Sequence, residues 1–349
     1  YAQSRRLALA KRLLHDTALP LTQVAFAAGF GSVRRFNALF KKTFDRAPSD
    51  LRREAGEPST PRDELTIRLE YRPPLAWESL LAFLRSRAIP GVERVDEGVY
   101  RRSVRLGDRT GWLAVQRKSG EAPALIATVS RSLAPRLASV VARLRALFDL
   151  DAQPQLIAAH LRKDAHLRPL VTKQPGLRLP GAFDAFEMSV RAVLGQQISV
   201  KGATTLAGRL AQAFGRPLPD APAGLALVFP TAAELAAVPL AQLCAIGLPV
   251  ARAETLLGLA RAVAAGSVDL SGSADPEAAI AELEALRGIG PWTAHYVAMR
   301  AMRWPDAFVA GDLGVKHALG TTTAREAEAR AEPWRPWRAY AVMHLWNAL

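Results

Sequence analysis

The sequence predicts a mainly helical protein that also contains one smaller α+β block. Two periodicities carry this prediction. From residue 65 apolar and polar side chains alternate, as in a half-buried strand, whereas from about residue 135 the apolar side chains recur at the spacing of helices. Proline or glycine stands at nearly every junction of this second part. The chain has 349 residues, half of them apolar, and can therefore build two or three packed domains.

The first 55 residues are predicted to form a DNA-binding helix-turn-helix segment. The pattern favours a helix over 4–15, a short helix that ends at Gly29, and a third helix from Val33 to Phe44 that Ser32 caps. Pro48 is expected to stop this third helix. A short helix, a glycine turn and a capped basic helix are typical of this motif. The third helix exposes side chains of the kind that contact base edges in the major groove, namely Arg34, Arg35, Asn37 and Lys41.

Positive charge is concentrated in the same segment. The whole chain carries 46 Lys and Arg against 32 Asp and Glu, a net charge of +14, and residues 1–53 hold 11 of the basic and only three of the acidic side chains. Such a surplus is typical of a chain that binds a polyanion. A solvated basic face that keeps the protein soluble would give the same count, so charge alone does not decide.

Cysteine content and hydropathy indicate the cellular compartment of the protein. Cys244 is the only cysteine, which excludes an intrachain disulfide and a four-cysteine metal site and fits a reducing cytoplasm. No apolar run approaches the roughly 18 residues of a membrane span. We therefore expect a cytoplasmic protein that is not associated with a membrane. Because Tyr1 lies inside a helical pattern, we also expect that a part of the protein precedes it.

Residues 56–63 are predicted to be a linker, and residues 64–133 an α+β domain. Alternation predicts strands over 65–71, 99–106, 112–116 and 124–129, and an amphipathic helix over 77–87. Residues 134–349 are predicted to be wholly helical. The helices expected there are 135–149, 153–161, 184–196, 200–214, 231–237, 239–245, 249–265, 275–286, 291–302, 313–319 and 324–345.

The turn from Leu286 to Gly290 is the first part of a candidate site. Gly288 and Gly290 permit positive φ and remove Cβ atoms where a backbone must approach a partner. The helix that starts at Pro291 offers free N–H groups and the positive end of its dipole, so turn and helix together could clamp a phosphate. Thr293 lies in the first turn of that helix. Ordinary helical hairpins use the same turn, so the motif alone does not decide.

Asp312 is the candidate catalytic residue. A carboxylate beside a scissile glycosidic bond stabilises positive charge on the sugar and can orient or deprotonate a water. The residue could also merely cap the helix that starts at Leu313, and both roles are compatible. Trp292 and Tyr296 lie four residues apart on one helix face, and with Trp346 they could form a pocket of flat surfaces. Electron-rich rings of this kind also bind cations.

Most of the chain resembles the AlkA-type 3-methyladenine DNA glycosylase II family of the helix-hairpin-helix superfamily. Besides the hairpin and Asp312, the resemblance is carried by segments 71–77, 179–187, 191–200 and 334–346. It implies a small TBP-like α+β domain followed by a helical glycosylase domain, and a base pocket formed by Phe83, Trp292, Tyr296, Leu313 and Trp346. It also implies contacts to DNA from Gln197, Gly288, Gly290 and Thr293. Finally, it implies a Na⁺ or K⁺ ion on the backbone carbonyls of Glu284, Leu286 and Gly288, with no cofactor for catalysis.

Residues 1–53 resemble the second helix-turn-helix of AraC-type regulators, especially those of the Ada family, through Gly29, Phe30, Arg35, Phe36 and Asn37. This resemblance implies binding to a promoter site. The cysteine-rich methyl-accepting domain with which Ada proteins begin is not in this sequence.

Two positions depart from the glycosylase pattern. Gln197 replaces a leucine wedge and could fill the gap left by a flipped base, and Leu313 replaces a pocket tyrosine, so base preference could differ.

The hypothesis is a monofunctional glycosylase that binds duplex DNA and releases alkylated purines such as 3-methyladenine and 7-methylguanine. Glycosylases that also nick DNA carry a lysine two residues after the second glycine, and Trp292 stands there instead. One alternative is a transcription regulator whose glycosylase-like half is a sensor without catalytic activity. Another is a glycosylase for oxidised or mismatched bases, which would fit better with that lysine or an iron–sulfur cluster.

Overall fold

The computed structural model describes residues 2–16, 19–55, 64–117, 123–271 and 275–349, so the expected linker at 56–63 lies outside the described residues. The N-terminal segment is a compact group of helices. These are α1 (Ala2–Asp16), α2 (Leu21–Ala27), α3 (Val33–Phe44) and α4 (Pro48–Ala55). Helix α4 was not predicted, because Pro48 was interpreted only as a stop. Proline is also favoured as the first residue of a helix, and here it starts a new one.

Helix α3 has the cap and the two faces that the sequence predicts. The Ser32 hydroxyl accepts a hydrogen bond from the Arg35 backbone N–H, and Gly29 adopts a φ of +83° in the preceding turn. Phe36 and Phe40 are fully buried and pack edge to face, with ring centroids 5.5 Å apart. The opposite face leaves four polar side chains exposed to solvent. They are Arg34, Arg35, Asn37 and Lys41.

The α+β part is a single antiparallel sheet in the order β1-β5-β4-β3-β2. Its elements are β1 (Glu64–Glu70), α5 (Trp77–Arg85), β2 (Glu93–Asp96), β3 (Val99–Leu106), β4 (Arg109–Arg117) and β5 (Ala124–Ser130). In β1 the buried residues Leu65, Ile67 and Leu69 alternate with less buried ones, so one face of the sheet forms a core. That core also includes buried residues of α5 and of the N-terminal helices. Strand β2 is too short to have shown alternation in the sequence.

The remainder is helical apart from one two-stranded ribbon. Its helices are α6 (Leu137–Leu147), α7 (Pro154–Leu161), α8 (Leu167–Lys173), α9 (Ala185–Leu194), α10 (Val200–Phe214), α11 (Ala232–Ala236), α12 (Leu240–Ala245), α13 (Val250–Ala265), α14 (Pro276–Glu284), α15 (Pro291–Arg300), α16 (Leu313–Leu319), α17 (Ala324–Ala331) and α18 (Arg338–Trp346). The ribbon pairs β6 (Arg216–Pro217) with β7 (Leu227–Val228), and 3₁₀ turns occupy Arg131–Arg136 and Glu332–Trp334. No helix of the described residues is long and apolar enough to cross a bilayer.

The prediction of one helix over 324–345 is wrong. The chain breaks between α17 and α18, where Pro333 and Pro336 lack the N–H groups that a continuous helix needs. A buried ion pair then fixes the start of α18, because the guanidinium of Arg338 donates to the Asp306 carboxylate from Nε at 2.9 Å and Nη2 at 3.0 Å. This break sets the direction of the helix that carries Trp346.

The two glycines of the hairpin between α14 and α15 serve different purposes. Gly288 has a φ of +86°, and a Cβ there would lie 2.0 Å from the Thr255 hydroxyl oxygen, so only glycine fits. Gly290 is extended, with φ −100° and ψ 178°, and a Cβ there would meet open space. Only Gly288 therefore uses the positive φ that both glycines permit. Gly290 keeps the surface in front of α15 free of a side chain.

Gly288→Ala should destabilise the fold, whereas Gly290→Ala should not. The first variant combines a left-handed alanine with a clash against Thr255, and we expect a loss of about 2–4 kcal/mol in the free energy of unfolding. The second variant adds a methyl group to open space and serves as the matched control. Urea denaturation of both variants measures the difference, and equal midpoints would contradict this account of the hairpin.

His344 in α18 should make the fold sensitive to acid. Burial lowers the pKa of this imidazole to about 4, since it is only 7% exposed. A lowered folded-state pKa gives stability that is present above the unfolded value near 6.5 and is lost as the pH falls through about 4. Between pH 7 and pH 4 the free energy of unfolding of the wild type should therefore fall by about 3 kcal/mol more than that of His344→Leu. Urea denaturation at both pH values tests this, with the exposed His317→Gln as control. An equal acid loss in wild type and His344→Leu would contradict it.

Candidate active site

Asp312 is the N-cap of α16, as the structural interpretation of this residue predicted. Its backbone is extended, and its Oδ1 accepts a hydrogen bond from the Val315 N–H at 3.0 Å. The side chain is half-buried and lines a cleft. The cap therefore fixes the carboxylate on a short helix without withdrawing it from the surface.

Two indole N–H groups hold the same carboxylate. Trp292 Nε1 donates to Oδ2 at 3.0 Å, and Trp346 Nε1 donates to Oδ1 at 2.9 Å. With the Val315 N–H, three donors converge on one carboxylate, an arrangement that stabilises negative charge. Two of them occupy Oδ1 and only one occupies Oδ2, so Oδ2 keeps a lone pair for a further partner.

Trp292, Tyr296 and Trp346 are the side chains expected to form a base pocket with their ring faces, whereas the N–H contacts of the two tryptophans were not predicted. The three side chains do lie together. The rings of Trp292 and Tyr296 stack with centroids 5.1 Å apart and planes 11° apart, and the Trp346 centroid is 6.2 Å from that of Tyr296. One face of Trp292 is therefore covered by Tyr296. No sequence signal predicted the hydrogen bonds, because residue 292 and residues 312 and 346 meet only in the folded chain.

Guanidinium groups surround the inner end of this aromatic cluster. Arg300 Nη1 donates to the Tyr296 hydroxyl at 2.9 Å. Arg87 lies over the Phe83 ring at 3.7 Å from its centroid, and Arg300 lies at 4.6 Å from the same centroid. Both arginines follow their aromatic partners by four residues, a helical spacing visible in the sequence but not singled out there. Phe83 thus lies near the cluster, as the resemblance implied, but its ring contacts the protein's own cations.

Asp312 opens onto a cleft of about 840 Å³ in front of the hairpin. Both glycines of the hairpin and Trp292 line it from one side, and Gln196 to Ser199 line it from the other. Gln197 is exposed and held at a φ of +57°, so its side chain stands on a sharp turn at the cleft. Leu313 is 78% exposed at the same cleft. Leu313 therefore lies at the open rim and does not form the floor of a closed base pocket.

Gln196, which sequence reasoning missed, joins the hairpin to the opposite side of the cleft. Its Nε2 donates to the Gly288 carbonyl at 2.9 Å and to the Thr293 hydroxyl at 3.0 Å, and Arg252 donates to the Gln196 carbonyl at 2.7 Å. Thr293 is only 3% exposed, and its N–H donates to the Gly290 carbonyl. Its side chain is therefore used inside the protein, in contrast to the DNA contact expected of it.

The carbonyls that the resemblance assigns to a monovalent cation lie at the same hairpin. The Leu286 carbonyl accepts from the Ile289 N–H at 3.0 Å and the Gly288 carbonyl accepts from Gln196, which leaves one lone pair on each. Glu284 is the last residue of α14, where helix carbonyls lack a partner within the helix. Neutral oxygen ligands of this kind suit a hard cation. The donor set therefore fits such an ion.

Comparisons with known proteins match three families along the chain. Residues 1–54 match a helix-turn-helix domain, residues 66–184 match the AlkA N-terminal domain, and residues 190–337 match the HhH-GPD superfamily of base excision DNA repair proteins. The sequence is 39% identical to a probable bifunctional transcriptional activator/DNA repair enzyme AlkA of Mycobacterium tuberculosis, over all of this chain and 71% of that protein. It is 38% identical to the DNA-3-methyladenine glycosylase 2 of Escherichia coli, over 80% of this chain and 95% of that protein.

The fold agrees with these matches. A 3-methyladenine DNA-glycosylase from Archaeoglobus fulgidus superposes with a TM-score of 0.71 over 80% of this chain and 97% of that one, at 24% identity. An 8-oxoguanine glycosylase/lyase from Clostridium acetobutylicum, solved with double-stranded DNA, superposes with a TM-score of 0.64. The match covers 82% of this chain and 95% of that one, at 16% identity. At these identities the likeness is one of fold. By sequence, the chain belongs to the AlkA family of DNA glycosylases, and it is a member that also carries a helix-turn-helix domain.

Proposed function

We propose that this chain releases alkylated purines from duplex DNA by hydrolysis of the N-glycosidic bond, with Asp312 as the catalytic residue. The observation that carries the proposal is the triple hydrogen bonding of that carboxylate at the edge of the cleft, which leaves one lone pair on Oδ2. The position of the charge is thus set before a substrate arrives, and such preorganisation is the main source of electrostatic catalysis.

The arrangement supports a dissociative hydrolysis. As the bond from C1′ of the sugar to the base breaks, its electron pair leaves with the base and the sugar becomes positively charged. The Asp312 carboxylate stabilises that charge, and the free lone pair on Oδ2 can accept a proton from the water whose oxygen bonds to C1′. Trp292 and Trp346 hold the carboxylate in place while its charge interacts with the sugar.

The proposed product is an abasic site in an uncut strand. Strand cleavage by this superfamily requires an amine that attacks C1′. Residue 292 is instead a tryptophan, whose indole N–H is hydrogen-bonded to Asp312. Of the described residues that line the cleft, none is a lysine. Water is therefore the nucleophile that the site favours.

Duplex DNA would bind across the cleft through its backbone. Helix α15 starts at Pro291 after Gly290, which supplies no side-chain cap, so the positive end of the helix dipole at the cleft is open to a phosphate. A Na⁺ or K⁺ ion on the carbonyls of Glu284, Leu286 and Gly288 would supply positive charge at the same place. Gln197 would enter the space of the everted nucleotide, and the exposed Leu313 would contact DNA at the rim.

The helix-turn-helix segment would give the protein a second contact with DNA. The name of the Mycobacterium tuberculosis relative combines transcriptional activation with DNA repair, and the exposed basic face of α3 here suits a promoter site. We propose that the protein acts as a monomer on the nucleoid. A purely regulatory role for the glycosylase domain is the competing function, and base release by the wild type separates the two.

Asp312→Asn should abolish base release and spare DNA binding. The amide keeps the size of the side chain but not its negative charge, so we expect a fall of about 10²–10³-fold or more in the single-turnover rate. Release of 7-methylguanine and 3-methyladenine from methylated duplexes measures the rate, and Kd for the same DNA should stay within about threefold of the wild type. Asp220→Asn, at an exposed turn, is the control. Full activity of Asp312→Asn would refute the mechanism.

Removal of the positive charges of α3 should weaken DNA binding and make it less dependent on salt. Neutralising three phosphate-binding side chains lowers the slope of log K against log salt by about two to three. We expect this for the triple variant Arg34→Gln, Arg35→Gln and Lys41→Gln, in titrations from 50 to about 200 mM salt. Base release from saturating DNA should be unaffected. An unchanged slope would show that α3 does not contact DNA.

A further inference from the structure

One side of the cleft continues into a basic surface on α10. This helix follows the turn 196–199 directly, and its exposed side chains Lys201, Thr205 and Arg209 recur every four residues, so they form one stripe along the helix. The helix contains no Asp or Glu. Among the ion pairs formed in the described parts of the chain, none includes Lys201 or Arg209. The α10 stripe therefore keeps its positive charge.

The turn between α12 and α13 lies at the far end of this stripe. Arg209 Nη1 donates to the Ile246 carbonyl at 3.3 Å. Gly247 in that turn has a φ of +97°, close to the +86° of Gly288, and a buried aliphatic residue follows each of the two glycines. Helix α13 then begins at Val250 without a side-chain cap, as α15 begins after its own glycine turn. The α12–α13 turn thus has the backbone form of the α14–α15 hairpin.

The turn that carries Gln197 lies between these two turns. The side-chain amide of Gln196 donates to the Gly288 carbonyl at 2.9 Å, and its backbone carbonyl accepts from Arg252, in the first turn of α13, at 2.7 Å. Gln197, in the space of the everted nucleotide, would face the unpaired base of the opposite strand. A duplex that presents its lesion strand to the α14–α15 hairpin therefore presents its other strand to the α10 stripe.

Apolar side chains are exposed at the cleft end of the stripe. They are Ile198, Val200 and Val250. Exposed aliphatic groups that lie together favour contact with a partner over contact with water. The sugars of DNA offer apolar contacts, and its phosphates offer negative charge to the stripe. Both features of this surface therefore suit a nucleic-acid strand.

A basic helix face that meets only water is the alternative. Other exposed cations of the helical part stand beside carboxylates, because Arg143 pairs with Asp184 at 2.9 Å and Arg335 pairs with Glu332 at 2.9 Å. Such mixing of opposite charges is usual on a surface that is only solvated. The α10 stripe has no acidic residue with which its cations could be mixed. A polyanionic partner accounts for this difference.

We propose that the α10 stripe binds the phosphates of the DNA strand opposite the lesion, with Lys201 and Arg209 as its charged contacts. The surface is continuous with the cleft, and its charge complements that of a polyanion. This inference rests on the proposed function, because it takes a duplex bound across the cleft as its starting point. It adds that the protein contacts both strands beside the lesion and not the damaged strand alone.

The test compares a duplex with its lesion strand alone. Kd is measured from about 50 to 200 mM salt for a duplex that carries a tetrahydrofuran abasic-site analogue, and for the single strand with the same analogue. The double variant Lys201→Gln and Arg209→Gln removes two phosphate contacts, so the slope of log K against log salt should fall by about two on the duplex. On the single strand the slope should change by less than about 0.5.

A control with the same loss of charge is available at the end of α7. The double variant Arg162→Gln and Lys163→Gln removes one arginine and one lysine from exposed positions, and it should leave both slopes within about 0.5 of the wild type. The variant Lys201→Arg and Arg209→Lys keeps both charges and should keep the duplex slope. This variant separates the loss of charge from the loss of the Arg209 contact with the Ile246 carbonyl.

The outcomes distinguish this inference from the proposed function. An unchanged duplex slope in the glutamine variant, or an equal fall on the single strand, would overturn the assignment of the α10 stripe to the opposite strand. An equal fall in the α7 control, or in the variant that keeps both charges, would also overturn it. A wild type that binds the duplex but releases no methylated base would instead overturn the proposed function.

Discussion

The hydrogen bonds from two indoles to one aspartate are the constraint on which the rest of the site depends. Trp292 comes from α15, Asp312 begins α16 and Trp346 ends α18, so the carboxylate is positioned only when three separate helices meet. Contacts far from Asp312 therefore affect the site when they position one of these helices. The Arg338–Asp306 ion pair fixes the start of α18, and the close approach of Gly288 to Thr255 fixes the turn before α15. A small shift of either helix would lengthen a hydrogen bond to the group that bears the charge.

The same aromatic cluster separates opposite charges. The Asp312 carboxylate lies at its cleft side, bonded to the indole edges, and the guanidinium of Arg300 lies at its buried side, bonded to the Tyr296 hydroxyl. The stacked rings of Trp292 and Tyr296 keep the two charges apart, so they do not neutralise each other as a direct ion pair would.

The sequence predicted well what depends on local spacing. The cap at Ser32, the helix at 200–214 and the positive φ of Gly288 follow from residue types within a few positions of one another, and the structure has each of them. Two predictions that depend on proline were wrong, one about where a helix starts and one about where a helix ends. Pro48 starts a helix that was not predicted, because the residue was interpreted only as a stop. Pro333 and Pro336 interrupt a helix that was predicted, because both lack the N–H group that a continuous helix needs.

The site was predictable as a set of residues but not as a set of contacts. The resemblance named Phe83, Asp312 and the aromatics, yet their hydrogen bonds join positions as far apart as 34 residues, which no periodicity encodes. The same holds for Gln196, whose neighbour Gln197 drew attention as a departure from the family pattern. Gln196 binds the hairpin 92 residues away. Residue types report which chemistry is available, whereas tertiary packing decides which atoms of each residue carry it out.

The N-terminal helices share the apolar core of the α+β part rather than lying apart from it. Leu7, Leu13 and Leu14 of α1 are buried, and they belong to the same apolar core as Leu65 and Ile67 of β1. Helix α2 packs on the 3₁₀ turn Arg131–Arg136 that follows β5. Separation of the two parts would therefore expose apolar surface on both, at a cost that rises with the area uncovered. Since a shared core fixes orientation, the basic face of α3 keeps one placement relative to the sheet of the α+β part.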